Sequence, residues 1–370
     1  MNAITRSIVA AGWLGALLVI GGPVAAQPES SVAATDDWHD SVTQRAVEVI
    51  REASRSGDGS LRASAIEAAT PDRDLVVPLI QLGLDDNDPR VRYRALMAVG
   101  ELKLAGLGAS AANYIDDPSP SVRASAVYAA VSNGRAVDRS PLAESLMWPL
   151  ATARINAAEV LARLGDRSAR PMIESAAGLG LPRAAGEQER AVQVKLAEAM
   201  VRLGDDSARD VIRAATFEPA VEVRVMSIDM LGRLGDRSMR PALSRLLDEG
   251  TLEVRLAAAT SLLRMGDPSG LPLLRSSAGY SVAKATDELR ATQARLDPAS
   301  ALAREIQAVL SDPPRLAATA AAVRAQSAYG LGLARDAASA EALARLLNDP
   351  DPSVRLAAAG AVLDSSTARR

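Results

Sequence analysis

The feature that most constrains this chain is a phrase it repeats. From Leu231 the sequence reads LGRLGDRSMRPALSRLL, and from Leu161, seventy residues earlier, it reads LARLGDRSARPMIESAA. Gly-Asp recurs at Gly165-Asp166, Gly204-Asp205, Gly235-Asp236 and Gly266-Asp267, at intervals of 39, 31 and 31. Eleven residues before each glycine stand Arg154, Gln193, Arg224 and Arg255. Arg62, Arg92, Arg123, Arg324 and Arg355 hold the same place, with steps of 30, 31 and 31 from Arg62 to Arg154 and 31 from Arg324 to Arg355. A fixed period near 31 residues over most of the chain dictates stacked repeats. Each unit is too small to bury its own apolar side and must lean on its neighbours.

Each period reads as a helical hairpin. From Thr251 onward, Val254, Ala258, Leu262 and Met265 recur at helical spacing and form an apolar stripe. Asp88-Pro89, Ser119-Pro120 and Asp351-Pro352 stand just ahead of such stripes. A short polar side chain accepts the orphan N–H bonds at a helix start, and proline in the first turn has no N–H to leave unpaired. Glycine at the Gly-Asp step can take the left-handed conformation that ends the first helix. The aspartate then caps a second helix with apolar pairs Met172/Ile173, Val211/Ile212, Ala242/Leu243 and Leu273/Leu274. The composition agrees. The chain is 48% hydrophobic but only 2% aromatic, so burial falls to Ala, Leu, Val, Ile and Met. Alanine suits close helix packing. No long β-type alternation appears. The expectation is an all-α solenoid of stacked hairpins.

The first thirty residues differ. One positive charge, Arg6, precedes an apolar run from Ile8 to Ile20, and Val24 and Ala26 supply small residues before Gln27. This is the layout of a secretory signal peptide over 1–26, which places the mature chain in the periplasm or outside the cell. An uncleaved anchor is the alternative, although Gly21, Gly22 and Pro23 break a run already short for a membrane span. Cleavage leaves 41 basic and 45 acidic residues, a net charge of −4 that selects no partner. The chain has no cysteine, so packing alone holds it. Residues 27–56 read as a linker and capping helix, and 57–370 as the array.

The segments VRLAAATSLLRMGD and VRVMSIDMLGRLGD resemble the HEAT-like repeats first noted in phycobilisome lyases. The resemblance runs from about Gly57 to the C-terminus. It implies a right-handed α-solenoid whose second helices line the concave surface. It also implies structural bonding between units for Arg92, Arg123, Arg154, Arg224, Arg255, Arg324 and Arg355, and for Asp166, Asp205, Asp236, Asp267 and Asp336. Gln193 departs from the arginine pattern, and Arg335 stands where a glycine would precede Asp336. The family spans adaptors, scaffolds and bilin lyases, so fold alone does not choose between them. Two stretches break the period: near 177–190, with eight extra residues, and near 278–314, inside a 69-residue interval from Arg255 to Arg324. The second reads as two helices turned at Asp297-Pro298. Insertions in solenoids are often functional, and divergence without function fits as well.

The chemical inventory is sparse. The single histidine, His39, lies beside Asp36, Asp37 and Asp40, which suits a solvated helix start better than a metal site with three or four fixed ligands. Ser281-Val-Ala-Lys284 matches Ser-x-x-Lys, but neither Ser-Asp-Asn nor Lys-Thr-Gly occurs. No catalytic residue, metal or cofactor is expected. Acidic balance and scarce aromatics argue against nucleic acid. One constellation remains on the second helices: Arg170, Arg209, Arg213, Arg240, Arg245 and Arg275, on the side away from the apolar stripe. It reads either as an arginine-lined groove for acidic protein segments or as a solvated face. The function expected is a non-enzymatic exported scaffold that binds proteins through its concave face. The alternative is a cofactor-attachment factor resembling the bilin lyases.

Overall fold

The computed structural model describes residues 36–177 and 186–367. The signal-peptide reading over 1–26 lies outside them, as does most of the 177–190 stretch. Twenty α-helices and no strand occur among the described residues. No helix there is long and apolar enough to cross a membrane. The chain divides into two compact units, Ser54–Glu218 and Pro219–Arg370, with residues before Ser54 grouped with the second.

In the Ser54–Glu218 unit, five first helices stand in a row: α2 (Gly59–Ala69), α4 (Pro89–Glu101), α6 (Pro120–Ser132), α8 (Ala151–Leu164) and α10 (Glu187–Arg202). They follow α1 (Asp36–Ser54) and alternate with α3 (Arg73–Leu84), α5 (Ala105–Ser110), α7 (Ser140–Leu146), α9 (Arg170–Ala177) and α11 (Arg209–Ala215). The five first helices pack in succession on one another, and α2, α4, α6 and α10 also pack on their own second helices. Ala124, Ala157, Ala158 and Ala199 lie fully buried between them, because alanine lets the axes approach. Leu142, Leu146 and Ile173 from the second helices close this core.

The other unit repeats the plan with α12 (Val221–Arg233), α13 (Arg240–Leu246), α14 (Leu252–Arg264) and α15 (Leu271–Ser277). It continues through α16 (Val282–Gln293), α17 (Ala301–Leu310), α18 (Pro313–Gly332), α19 (Ala337–Leu346) and α20 (Pro352–Thr367). Val254, Ala258, Leu262 and Met265 share one core with Ile228 and Leu243. In each apolar pair of the second helices only the second member is fully buried: Ile173, Ile212, Leu243 and Leu274. Met172 and Val211 are exposed, which narrows the stripe expected from sequence.

The Gly-Asp step does two jobs. Gly165, Gly204, Gly235 and Gly266 all have positive φ, from 62° to 92°. Their aspartates cap the next helical turn, each carboxylate accepting a backbone N–H two residues on, from Ser168, Ser207, Ser238 and Ser269. Arg335, which has no glycine's freedom, is nevertheless held at φ 50°.

The 69-residue interval resolves differently from two periods plus seven. Helix α18 packs directly on α14 and α15, as the next repeat would. Gly330 leaves the room, since a Cβ there would meet Leu274 and Thr260 at 2.7 Å. At four places the recurrent arginine donates to the carbonyl six residues before it: Arg62 to Ser56, Arg92 to Asp86, Arg123 to Asp117 and Arg355 to Asp349. Arg324 donates instead to the Tyr280 carbonyl, at 2.9 Å. Tyr280 therefore stands where residue 318 would stand, and 281–318 is the inserted segment. Removing it returns the 69-residue interval to 31.

Candidate functional site

Three of the recurrent arginines at the starts of first helices, Arg62, Arg92 and Arg324, reach across to the next repeat's loop. Arg62 grips Asp86 with two bonds of 2.7 Å, and Arg92 grips Asp117 at 2.9 and 3.0 Å. Arg324 holds Asp349 at 2.6 and 2.8 Å. Arg154 pairs with Glu189, and Arg255 donates to the Leu247 carbonyl at 2.7 Å. Two-pronged geometry makes these contacts directional as well as charged. The Arg62 guanidinium, hydrogen-bonded to it, holds the Asp86 carboxyl below the usual aspartate range.

The second-helix arginines have several destinations. Arg170 lies 3.7 Å from Asp205, the capping aspartate of the next repeat. Arg275 holds Asp336 at 2.6 Å, and Arg240 donates to the Met265 carbonyl at the next repeat's helix end. Arg209 and Arg213 pair along their own segment with Asp206 and Asp210, at 2.8 and 2.9 Å. Arg245 is exposed. The first three thus touch the neighbouring turn, and the last three lie along the helix surface.

A second constellation was missed in the sequence. Inside the Ser54–Glu218 unit, eight charges of alternating sign run from α2 to α10: Glu67, Arg94, Glu101, Arg163, Glu159, Lys195, Glu198 and Arg202. Arg94 lies 3.8 Å from Glu67 and 3.4 Å from Glu101. Arg163 bridges Glu101 at 2.7 Å and Glu159 at 2.5 Å. Lys195 touches Glu159 and sits 2.6 Å from Glu198, which meets Arg202 at 3.1 Å. Glu101 and Arg163 are two repeats apart. At the corresponding places α6 carries only small Ser125 and Ser132, and Gly100 makes room for the ring of Tyr128.

Burial makes the two ends of this ladder unlike. Burial pushes the Glu67 carboxyl up to about 7, with Arg94 opposing and Glu101 adding to the rise. Burial also opposes charge on Glu159, but Lys195, Arg163 and Arg202 outweigh it and hold that carboxyl well below the usual range. The Pro219–Arg370 unit has a shorter counterpart. Asp229 takes Arg233 at 3.0 Å and Arg264 at 2.7 Å, and Arg264 also meets the Tyr329 hydroxyl. The sequence signal was an acid four residues before the arginine of Arg-x-Gly-Asp, at Glu159/Arg163, Glu198/Arg202 and Asp229/Arg233. Among the described residues, no group of three or more His, Cys, Asp or Glu side chains is placed to hold a metal ion.

With this geometry in place, comparison with known proteins names the repeat. Family models for HEAT repeats match residues 216–292 and 341–364. These are HEAT repeats. A search of curated proteins returns no match. Among solved structures, the chain is similar to the complex of CpcE and CpcF of phycocyanin lyase from Nostoc, at 16% identity and TM-score 0.30, covering 79% of this chain and 98% of that one. It is similar to human deoxyhypusine hydroxylase at 14% identity and TM-score 0.34, covering 90% and 97%. It is also similar to the Mot1 N-terminal domain in complex with TBP, at 14% identity and TM-score 0.31, covering 90% of this chain and 51% of that chain. At such identities and scores none of the three bears on function.

Proposed function

We propose that the chain is a non-enzymatic scaffold, exported to the periplasm or secreted, whose HEAT repeats bind other proteins. One observation carries the reading: recurrent charges are spent on neighbouring repeats at Arg62–Asp86, Arg92–Asp117 and Arg324–Asp349. That arrangement builds a platform, and it leaves recognition to whatever varies from repeat to repeat. In the Ser54–Glu218 unit Arg209 and Arg213 would meet acidic segments of a partner, with Arg170 at the adjoining turn; in the other unit Arg245 would do the same by itself, with Arg240 and Arg275 at its adjoining turns. Guanidinium groups suit carboxylates because two parallel bonds form at once.

Crosslinking mass spectrometry in intact cells tests this. The expected result is a reproducible partner protein whose acidic segments crosslink near 209–213, with coupling reduced at least tenfold by Arg209→Glu combined with Arg213→Glu. Recovery of no protein, with a small chromophore or other ligand co-purifying instead, would overturn the scaffold.

A further inference from the structure

One loop of the Ser54–Glu218 unit breaks the pattern its neighbours keep. Residues 85, 86 and 88 are all aspartate, and 116, 117 and 119 are Asp, Asp and Ser. One period later, residues 147, 148 and 150 are Met, Trp and Leu. The ties between repeats change accordingly. Arg62 and Arg92 each grip a carboxylate, whereas Arg123 lies over the Trp148 ring, 5.4 Å from its centroid. Leu150 occupies the N-cap of α8 and has no side-chain oxygen with which to cap it. Three polar positions have thus been given up at one place, at a cost to local stability.

What the loop gains is apolar surface. Met147, Trp148 and Leu150 are 56%, 39% and 58% exposed, in a chain where aromatics are 2% of residues. Exposed tryptophan flanked by aliphatic side chains is the composition of a binding hot spot. The rim is acidic. Glu144, exposed one turn before, accepts the Met147 N–H with its backbone carbonyl, which fixes it at the edge of the patch. On the other side, Arg123 donates to the carbonyls of Asp117 and Pro118, which brings that loop and exposed Asp116 alongside. The Arg123 guanidinium is occupied with the Trp148 face. Local rules broken together, without a packing gain, mark a functional place.

We propose that loop 147–150 is a docking site for a basic polypeptide segment with a bulky apolar anchor. The anchor packs against Met147, Trp148 and Leu150, and its lysines or arginines meet Glu144 and Asp116. This rests on the scaffold reading but names a different surface and the opposite partner charge from the arginine row.

The test uses the full mature chain and the variant Met147→Asp/Trp148→Asp/Leu150→Ser, which restores what the preceding loop carries. A restored Arg–carboxylate contact should keep the melting temperature equal to wild type or raise it. The probe is a lysine–leucine amphipathic peptide, titrated by the fluorescence of Trp148 in a Trp38→Phe background. For the triple variant, binding is read by anisotropy of the labelled peptide. We expect saturable binding that the triple variant weakens at least tenfold, with a glutamate–leucine peptide at least tenfold weaker on the wild type. Equal binding by variant and wild type, or by the two peptides, overturns the proposal. So does a wild-type dimer that the variant makes monomeric, which assigns the loop to a second copy, and so does flotation with anionic vesicles lost in the variant, which assigns it to a membrane. Cellular crosslinks to the 144–150 region that persist in the variant would refute this site and leave the scaffold standing. Their absence from the wild type would refute the scaffold itself.

Discussion

Glu67 and Glu159 belong to one ladder and respond to pH in opposite senses. The folded-state pKa of Glu67 is raised, to about 7 against an unfolded value near 4.3. Its protonated form is therefore the one the fold favours. Its contribution to stability is complete below about pH 4 and is lost as pH rises through 7. Glu67→Gln should leave the melt unchanged at pH 4 and stabilise the chain at pH 8 by about 3–4 kcal/mol. For Glu159 the shift is downward, so its stabilisation is present above about pH 4.3 and is lost on acidification through its lower folded value. Glu159→Gln leaves Lys195 and Arg163 buried without their shared carboxylate and should cost about 3–5 kcal/mol at neutral pH. Urea melts at pH 4 and pH 8 check both, and equal slopes for the two variants would contradict the ladder. These residues escaped sequence reading for a physical reason. An acid within Glu-Val-Leu-Ala-Arg looks like one half of a surface i, i+4 pair. Only the close row of first helices buries it.

At the scale of elements, the period was legible because every repeated residue answers a local demand. Asp88 caps α4 by accepting the Arg90 N–H at 2.8 Å, and Gly165 supplies a left-handed turn. The reach of the second-helix arginines was not legible. Whether Arg240 meets water or the Met265 carbonyl depends on the offset between neighbouring hairpins, which no single repeat encodes. Leu243 was identifiable as core from its spacing, and it is fully buried. Leu243→Ala should cost about 2–5 kcal/mol, measured by circular dichroism melts, because the hairpin around it collapses only partly. The loss should spread, since α12, α13 and α14 share that core. Arg335 offers the opposite case. A left-handed backbone costs a residue with a Cβ about 1–2 kcal/mol, so Arg335→Gly should stabilise by up to about 1 kcal/mol. An unchanged or lower melting temperature would mean that the Arg335 side chain, near Asp364, outweighs the strain.

For the whole molecule, the informative residue is Tyr280. Sequence showed an interval of 69 and two helices within it, but the boundaries of the inserted piece depend on which residue takes over the carbonyl that an arginine normally grips from six residues downstream. Because Arg324 takes that of Tyr280, the insertion is spliced into an otherwise continuous row at a single point. Helix α18 already packs on α14 and α15 as the next repeat. Deleting 281–318 joins Tyr280 to Thr319 at the spacing the other repeats use, and it removes α16, α17 and the first six residues of α18. Solenoid stability is a sum of repeat and nearest-neighbour terms, and the α14–α18 interface is kept. The shortened chain should therefore retain its helicity per residue and melt cooperatively, within a few degrees of the full chain. If α16 and α17 instead supply an interface the array needs, the deletion will lose helicity well beyond the residues removed and the transition will broaden. A circular dichroism melt of the purified deletion, beside the full chain, distinguishes the two outcomes.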